Sequence, residues 1–170
     1  AYEIPELVAS LSDSTRKKLG PRIIRALPQI GKPAVSPLTA ALDIENTNVQ
    51  RNVVWALGEI GYPQAIPYLL RLLGKENLPD AVRQAAYEAI AAIQGTSGRE
   101  RPETAAQGFI LLADQFYREH GAVKADPRVA RANVWYWRDG SLRPVAVPTD
   151  VYGPVMAMRV CEFALQLEPD

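Results

Sequence analysis

One eight-residue pattern occurs twice in this chain, thirty residues apart. Ala26-Leu27-Pro28-Gln29-Ile30-Gly31-Lys32-Pro33 lies over Ala56-Leu57-Gly58-Glu59-Ile60-Gly61-Tyr62-Pro63, and the match extends to Pro37 over Pro67. A looser third copy follows at an offset of thirty-three, with Ala89, Ile90 and Ile93 in place of Ala56, Leu57 and Ile60. Self-similarity at a fixed period implies stacked supersecondary units, each burying its apolar face against the next. The chain is therefore expected to be an all-α superhelix of helical hairpins.

Helical signals keep the same phase. Leu19, Ile23, Ala26, Leu27 and Ile30 form one apolar face at spacings of three and four, which predicts a helix over 14–30 ended by Gly31. A shorter helix over 34–42 carries Val35, Leu38 and Leu42. The polar stretch 43–48 then caps a helix over 48–60 with Val49, Val53, Ala56, Leu57 and Ile60 inward. Gly61-Tyr62-Pro63 turns the chain into 65–73, and Asp80 is placed to cap a helix over 81–93. Long and short helices alternate three times. In this register Gly58 and Gly61 serve close packing and a helix end rather than phosphate binding.

The Ala-Leu-Gly-Glu-Ile-Gly run at 56–61, the prolines at 63 and 67, and the basic or polar residues Arg51, Arg83 and Gln84 resemble HEAT repeats of the kind also found in phycobilin lyases. The resemblance spans about 1–95 and implies the fold. What it implies about function is protein binding, with a chromophore-lyase-like accessory role as the alternative. Ile4-Pro5-x-Leu7 lies over Ile66-Pro67-x-Leu69, so the first residues read as the inside of a repeat whose upstream helix is missing. An array cut there is expected to gain a helix from a longer protein or to self-associate.

Residues 96–102 read as a linker, after which the repeat phase is lost. A helix is expected over 103–120 with Ala106, Phe109, Ile110, Leu112, Ala113 and Phe116 inward, and another over 150–167. Between them, aromatic and β-branched residues flank Asp139-Gly140, which predicts a small β-hairpin over about 133–147. Pro144 lacks an N–H, so its strand should be short or lie at an edge. Phe109, Leu112, Ala113 and Phe116, with Ala157, Ala164 and Pro169, resemble the two halves of a tetratricopeptide unit. That resemblance implies a helical pair with the hairpin inserted between its halves.

Chemistry is scarce. Cys161 and His120 are the sole cysteine and histidine. An internal disulfide and a cysteine zinc site are excluded, Cys-His or Ser-His-Asp catalysis is not expected, and no cofactor or metal is implied. Cys161 is expected as a small buried hydrophobe, and His120 as a partner for free carbonyls at a helix end. Nineteen basic residues balance nineteen acidic ones, which removes any long-range field toward nucleic acid, and no apolar run is long enough to cross a membrane. Three sets of residues are candidates for binding. Trp135 and Trp137 share one face of the hairpin, either as an exposed pair for a peptide or as cover for the core. Trp55 and Tyr62 are candidate anchors near Asn52, Gln84 and Glu88 on the repeats. Arg16, Lys17, Lys18, Arg22 and Arg25 form a basic cluster that either is a solvated face or meets nucleic acid, with affinity then falling steeply in salt. The expected role is a non-catalytic scaffold module with a protein or peptide partner.

Overall fold

The computed structural model describes residues 4–12, 20–98 and 102–168. Long helices α2 (Gly20–Ile30), α4 (Thr47–Ile60) and α6 (Asp80–Ser97) stand side by side as one layer. Short helices α1 (Ile4–Ser12), α3 (Lys32–Ala40) and α5 (Ile66–Leu73) form the second, each packed on a long neighbour. Leu27, Leu38, Val53, Leu57, Leu69 and Ile93 are fully buried between the layers.

The repeated residues make the repeated joints. Gly31 and Gly61 end α2 and α4 with φ of +68° and +73°, a left-handed conformation that costs glycine nothing. Asn46 caps α4, its Oδ1 accepting from the Asn48 and Val49 amides at 3.1 Å each. Gln50 Nε2 donates to the Leu42 carbonyl at 2.7 Å, and one repeat later Arg83 Nη1 donates to the Leu73 carbonyl at 3.2 Å. In both units a side chain of the long helix satisfies the open carbonyl end of the short helix before it. Asp43 bridges to the next unit through Arg71 (3.1 Å) and Lys75 (2.9 Å).

Gly58 sets the separation of α4 and α6. A methyl group there would lie 2.9 Å from Ala89 Cα, closer than carbon atoms pack.

Beyond the repeats, Thr104 caps α7 (Ala105–Tyr117), which packs on α5 and then on α8 (Tyr152–Leu167). The hairpin lies between them in sequence: β1 (Arg131–Arg138) pairs antiparallel with β2 (Ser141–Pro148). Asp139 and Gly140 both have positive φ (51° and 67°), the two-residue turn whose twist matches that of the strands. Counting from the closing pair Arg138–Ser141, Pro144 faces Trp135 in a pair that exchanges no ladder hydrogen bonds. The missing N–H is thus accommodated. β1 runs against α3 and β2 against α1, so the insertion reaches back to the first repeats.

Four expectations are corrected. Helix α6 continues through Gly95 to Ser97 and stops at Gly98 (φ +63°), because nothing opposes Gly95 and its φ is not positive. Asp80 is the first residue of α6, behind Pro79, and makes no side-chain cap. Ile110 is 60% exposed, and Cys161 is exposed too. Each lies on the side of its helix that no other described element covers.

Two substitutions test this packing in opposite directions. Gly58→Ala should cost ~1–3 kcal/mol by overpacking the α4–α6 contact. Gly95→Ala, in open space within a helix, should add ~0.5–1 kcal/mol. Denaturant midpoints of the two variants would show both signs.

Candidate functional site

Because the hairpin and α8 fold back over the short-helix layer, they enclose a cleft of about 630 Å³, the size that takes a small organic ligand. The repeat side supplies Val35, Ser36 and Thr39 from α3, Tyr62 and Gln64 from the turn that follows α4, and Tyr68 from α5. The opposite side supplies Leu112 and Phe116 from α7, Trp135 from β1, and Tyr152 and Met156 from α8. The loop 121–127 closes one end. A smaller cavity of about 110 Å³ lies against the same wall, sharing Ser36, Thr39, Tyr68, Trp135 and Met156 and adding Arg71 and Arg159.

Rings build that wall. Tyr68 meets Phe109 edge-on at 5.0 Å and 89°, and Phe163 at 6.0 Å and 77°. Arg159 lies 4.0 Å over the Tyr136 ring and donates to the Trp135 carbonyl, with no carboxylate partner among the described residues. Arg71 lies 4.6 Å over Phe163 while holding Asp43.

Burial pushes the Tyr68 hydroxyl up to about 12, against the opposing pull of the Arg159 charge. Desolvation also raises Tyr152, offset in part by a hydrogen bond with Ser36. Both phenols therefore stay protonated at any physiological pH. Asp126, on the loop at the cleft's edge, is held down to about 2 by its paired hydrogen bonds with Arg128. Among the described residues no group of three or more potential metal ligands occurs.

The residues expected from sequence are dispersed. Val134 and Trp135, neighbours on opposite faces of β1, are 1% and 3% exposed, so the ribbon is covered on both sides at its middle. Trp137 is half-buried. The hairpin does not offer two indoles side by side to solvent. Tyr62 lines the cleft, whereas Trp55 is exposed on α4 in the long-helix layer, away from it. Asn52 also lies on α4, and Gln84 and Glu88 on α6, where they bond each other at 2.8 Å. Of the basic cluster, Arg22 and Arg25 are exposed on α2; Arg16, Lys17 and Lys18 lie outside the described residues. His120 sits in the loop after α7, its Nδ1 accepting from the Ala122 amide at 3.3 Å.

Tyr68, Tyr152, Met156 and Arg159 were not legible as site residues. One signal existed: Tyr68 stands one repeat after Leu38, a hydroxyl-bearing ring where the earlier copy has an aliphatic side chain.

A model of HEAT repeats matches residues 4–95, more than half of the chain. The chain belongs to the HEAT-repeat family. No curated protein and no solved structure gives a significant match. The matched residues cover α1 to α6 up to Gln94–Gly95; α7, the hairpin and α8 lie outside them. This HEAT array thus contributes one wall of the cleft, and the remainder of the chain contributes the other.

Trp135→Ala should cost ~3–5 kcal/mol, the usual loss for a buried large ring, read from chemical denaturation. Tyr68 gives a second test. Its raised folded-state pKa makes a stabilising contribution that is complete below pH 10 and lost as pH rises toward 12. Melting between pH 9 and 12 should show ~2–3 kcal/mol less alkaline loss in Tyr68→Phe than in the wild type.

Proposed function

We propose that this HEAT protein is a non-catalytic interaction module whose working face is the outer side of α8, and whose partner is an amphipathic helix. HEAT repeats commonly serve as protein-interaction scaffolds, which supports this class of function. The observation that carries the surface is a stripe at spacings of three and four: Val151, Pro154, Met158, Cys161 and Leu165 are all exposed. Met158 and Leu165 have 68% and 63% of their surface in solvent. This is the seam spacing by which one helix packs along another.

The neighbouring helix α7 adds Ile110, Leu111 and Tyr117 to the exposed apolar surface. A helix from a further repeat unit or from a separate protein would bury these side chains at ~25 cal/mol per Å². Glu162, beside the stripe, favours a basic residue on the partner's flank.

Met158→Glu and Leu165→Glu place charge in the seam without touching the core, so each should leave stability within ~0.5 kcal/mol. A partner captured by the wild type and then purified should bind both variants at least tenfold more weakly, and Trp55→Ala as well as the wild type. An environment-sensitive dye on Cys161, the sole cysteine, should shift to the blue on binding. Equal affinity across the variants with no dye shift would place the partner elsewhere.

A further inference from the structure

The cleft between the repeats and the C-terminal segment has a chemical bias independent of the α8 stripe. Its body is apolar and aromatic, through Val35, Leu112, Phe116 and Met156. At the wall shared by the two cavities stand two polar groups on buried side chains, Tyr68 (8% exposed) and Trp135 (3% exposed). Among the described residues neither the Tyr68 hydroxyl nor the Trp135 indole N–H has a hydrogen-bond partner, and neither is sealed from the cavity. The hydroxyl can donate, and the indole N–H can only donate.

The net charge at that wall is positive, Arg71 and Arg159 lining the small cavity together with Asp43. Arg159 acts on Tyr68 from the small cavity, and its guanidinium is satisfied by a carbonyl and ring faces, not by a carboxylate. Arg71, on the same wall, shares Asp43 with Lys75, which leaves that trio one positive charge in excess. Among the described residues, the one buried side-chain acceptor in the cleft's lining without a partner, Gln64 Oε1, has no accessible surface and so cannot select a ligand. Open donors, uncompensated cations and an apolar body call for a ligand with an acceptor-rich anionic end and an apolar tail.

We propose that the cleft is a binding site for a small amphipathic carboxylate. Its carboxylate accepts from Tyr68 Oη and Trp135 Nε1 within the field of Arg159, and its apolar body lies along Leu112, Phe116 and Met156. Desolvating the head is offset there by charge-assisted hydrogen bonds, which are about twice as strong as neutral ones. No covalent step is involved.

Calorimetry with submicellar decanoate tests this on the full chain, with methyl decanoate and decyltrimethylammonium as neutral and cationic probes of the same tail. Decanoate should bind at one site, at least tenfold more tightly than either control. Tyr68→Phe keeps the ring and its packing, so it should fold. It should weaken decanoate about tenfold and leave the weak ester binding unchanged. Lys32→Ala/Arg131→Ala, which removes cations from the cleft's outer lining, should change decanoate affinity less than twofold. Equal binding of acid and ester, no binding of decanoate, or an unaffected Tyr68→Phe variant would each overturn the proposal. A larger loss in Lys32→Ala/Arg131→Ala than in Tyr68→Phe would also overturn it, by placing the head at the rim.

Discussion

The structure depends on three rings. Tyr68 of α5, Phe109 of α7 and Phe163 of α8 meet within 5.0–6.0 Å, and they are the joint between the repeat array and everything that follows it. Gly108 makes the approach feasible: a methyl group there would lie 3.0 Å from Pro67 Cγ and 2.8 Å from Pro102 Cγ. Each aromatic pair contributes ~0.5–1.5 kcal/mol beyond the area it buries. The larger effect is positional. Once α7 and α8 are fixed on α5, the thirty or so residues between them begin and end beside the repeats, and the hairpin falls on α3 and α1. A two-stranded ribbon is marginal alone in water, so its order depends on that support.

From that joint follow the two surfaces with functional content. The short-helix face of the array, which an open superhelix would offer to a partner, is covered by the chain's own hairpin and α8. What remains of it is a cleft with aromatic walls and donors at its base. The opposite side of α8 has no cover among the described residues, and its apolar stripe points outward. One segment therefore closes one surface and opens another. Its inward residues, Met156, Ala157, Val160 and Ala164, and its outward ones, Met158, Cys161 and Leu165, alternate along a single helix.

The sequence made the array legible because its information is local. Gly31 and Gly61 mark helix ends by backbone conformation, Gly58 marks a close approach, and Asp139-Gly140 marks a turn. None of these needs knowledge of distant residues. The α8 stripe was half legible. Periodicity identifies an apolar helix side but does not say whether another element covers it, which is why Ile110 and Cys161 were expected inside. Trp135 was left between core and contact because alternation along a strand does not reveal that both faces are covered. The cleft was not legible at all, since Val35, Tyr68, Leu112, Trp135 and Met156 come together across more than a hundred residues. Only the full path of the chain makes them neighbours.

The central claim is that the repeats hold the hairpin down. Native-state hydrogen exchange of the intact protein tests it most directly, by comparing the ladder amides of β1 with those of α4. The account predicts that Val134 and Tyr136 are protected to within about tenfold of the slowest α4 amides, because both open only when the joint opens. Exchange of these amides near the rate of a free ribbon, with α4 still fully protected, would show that the hairpin is not docked, and the cleft would lose one of its walls.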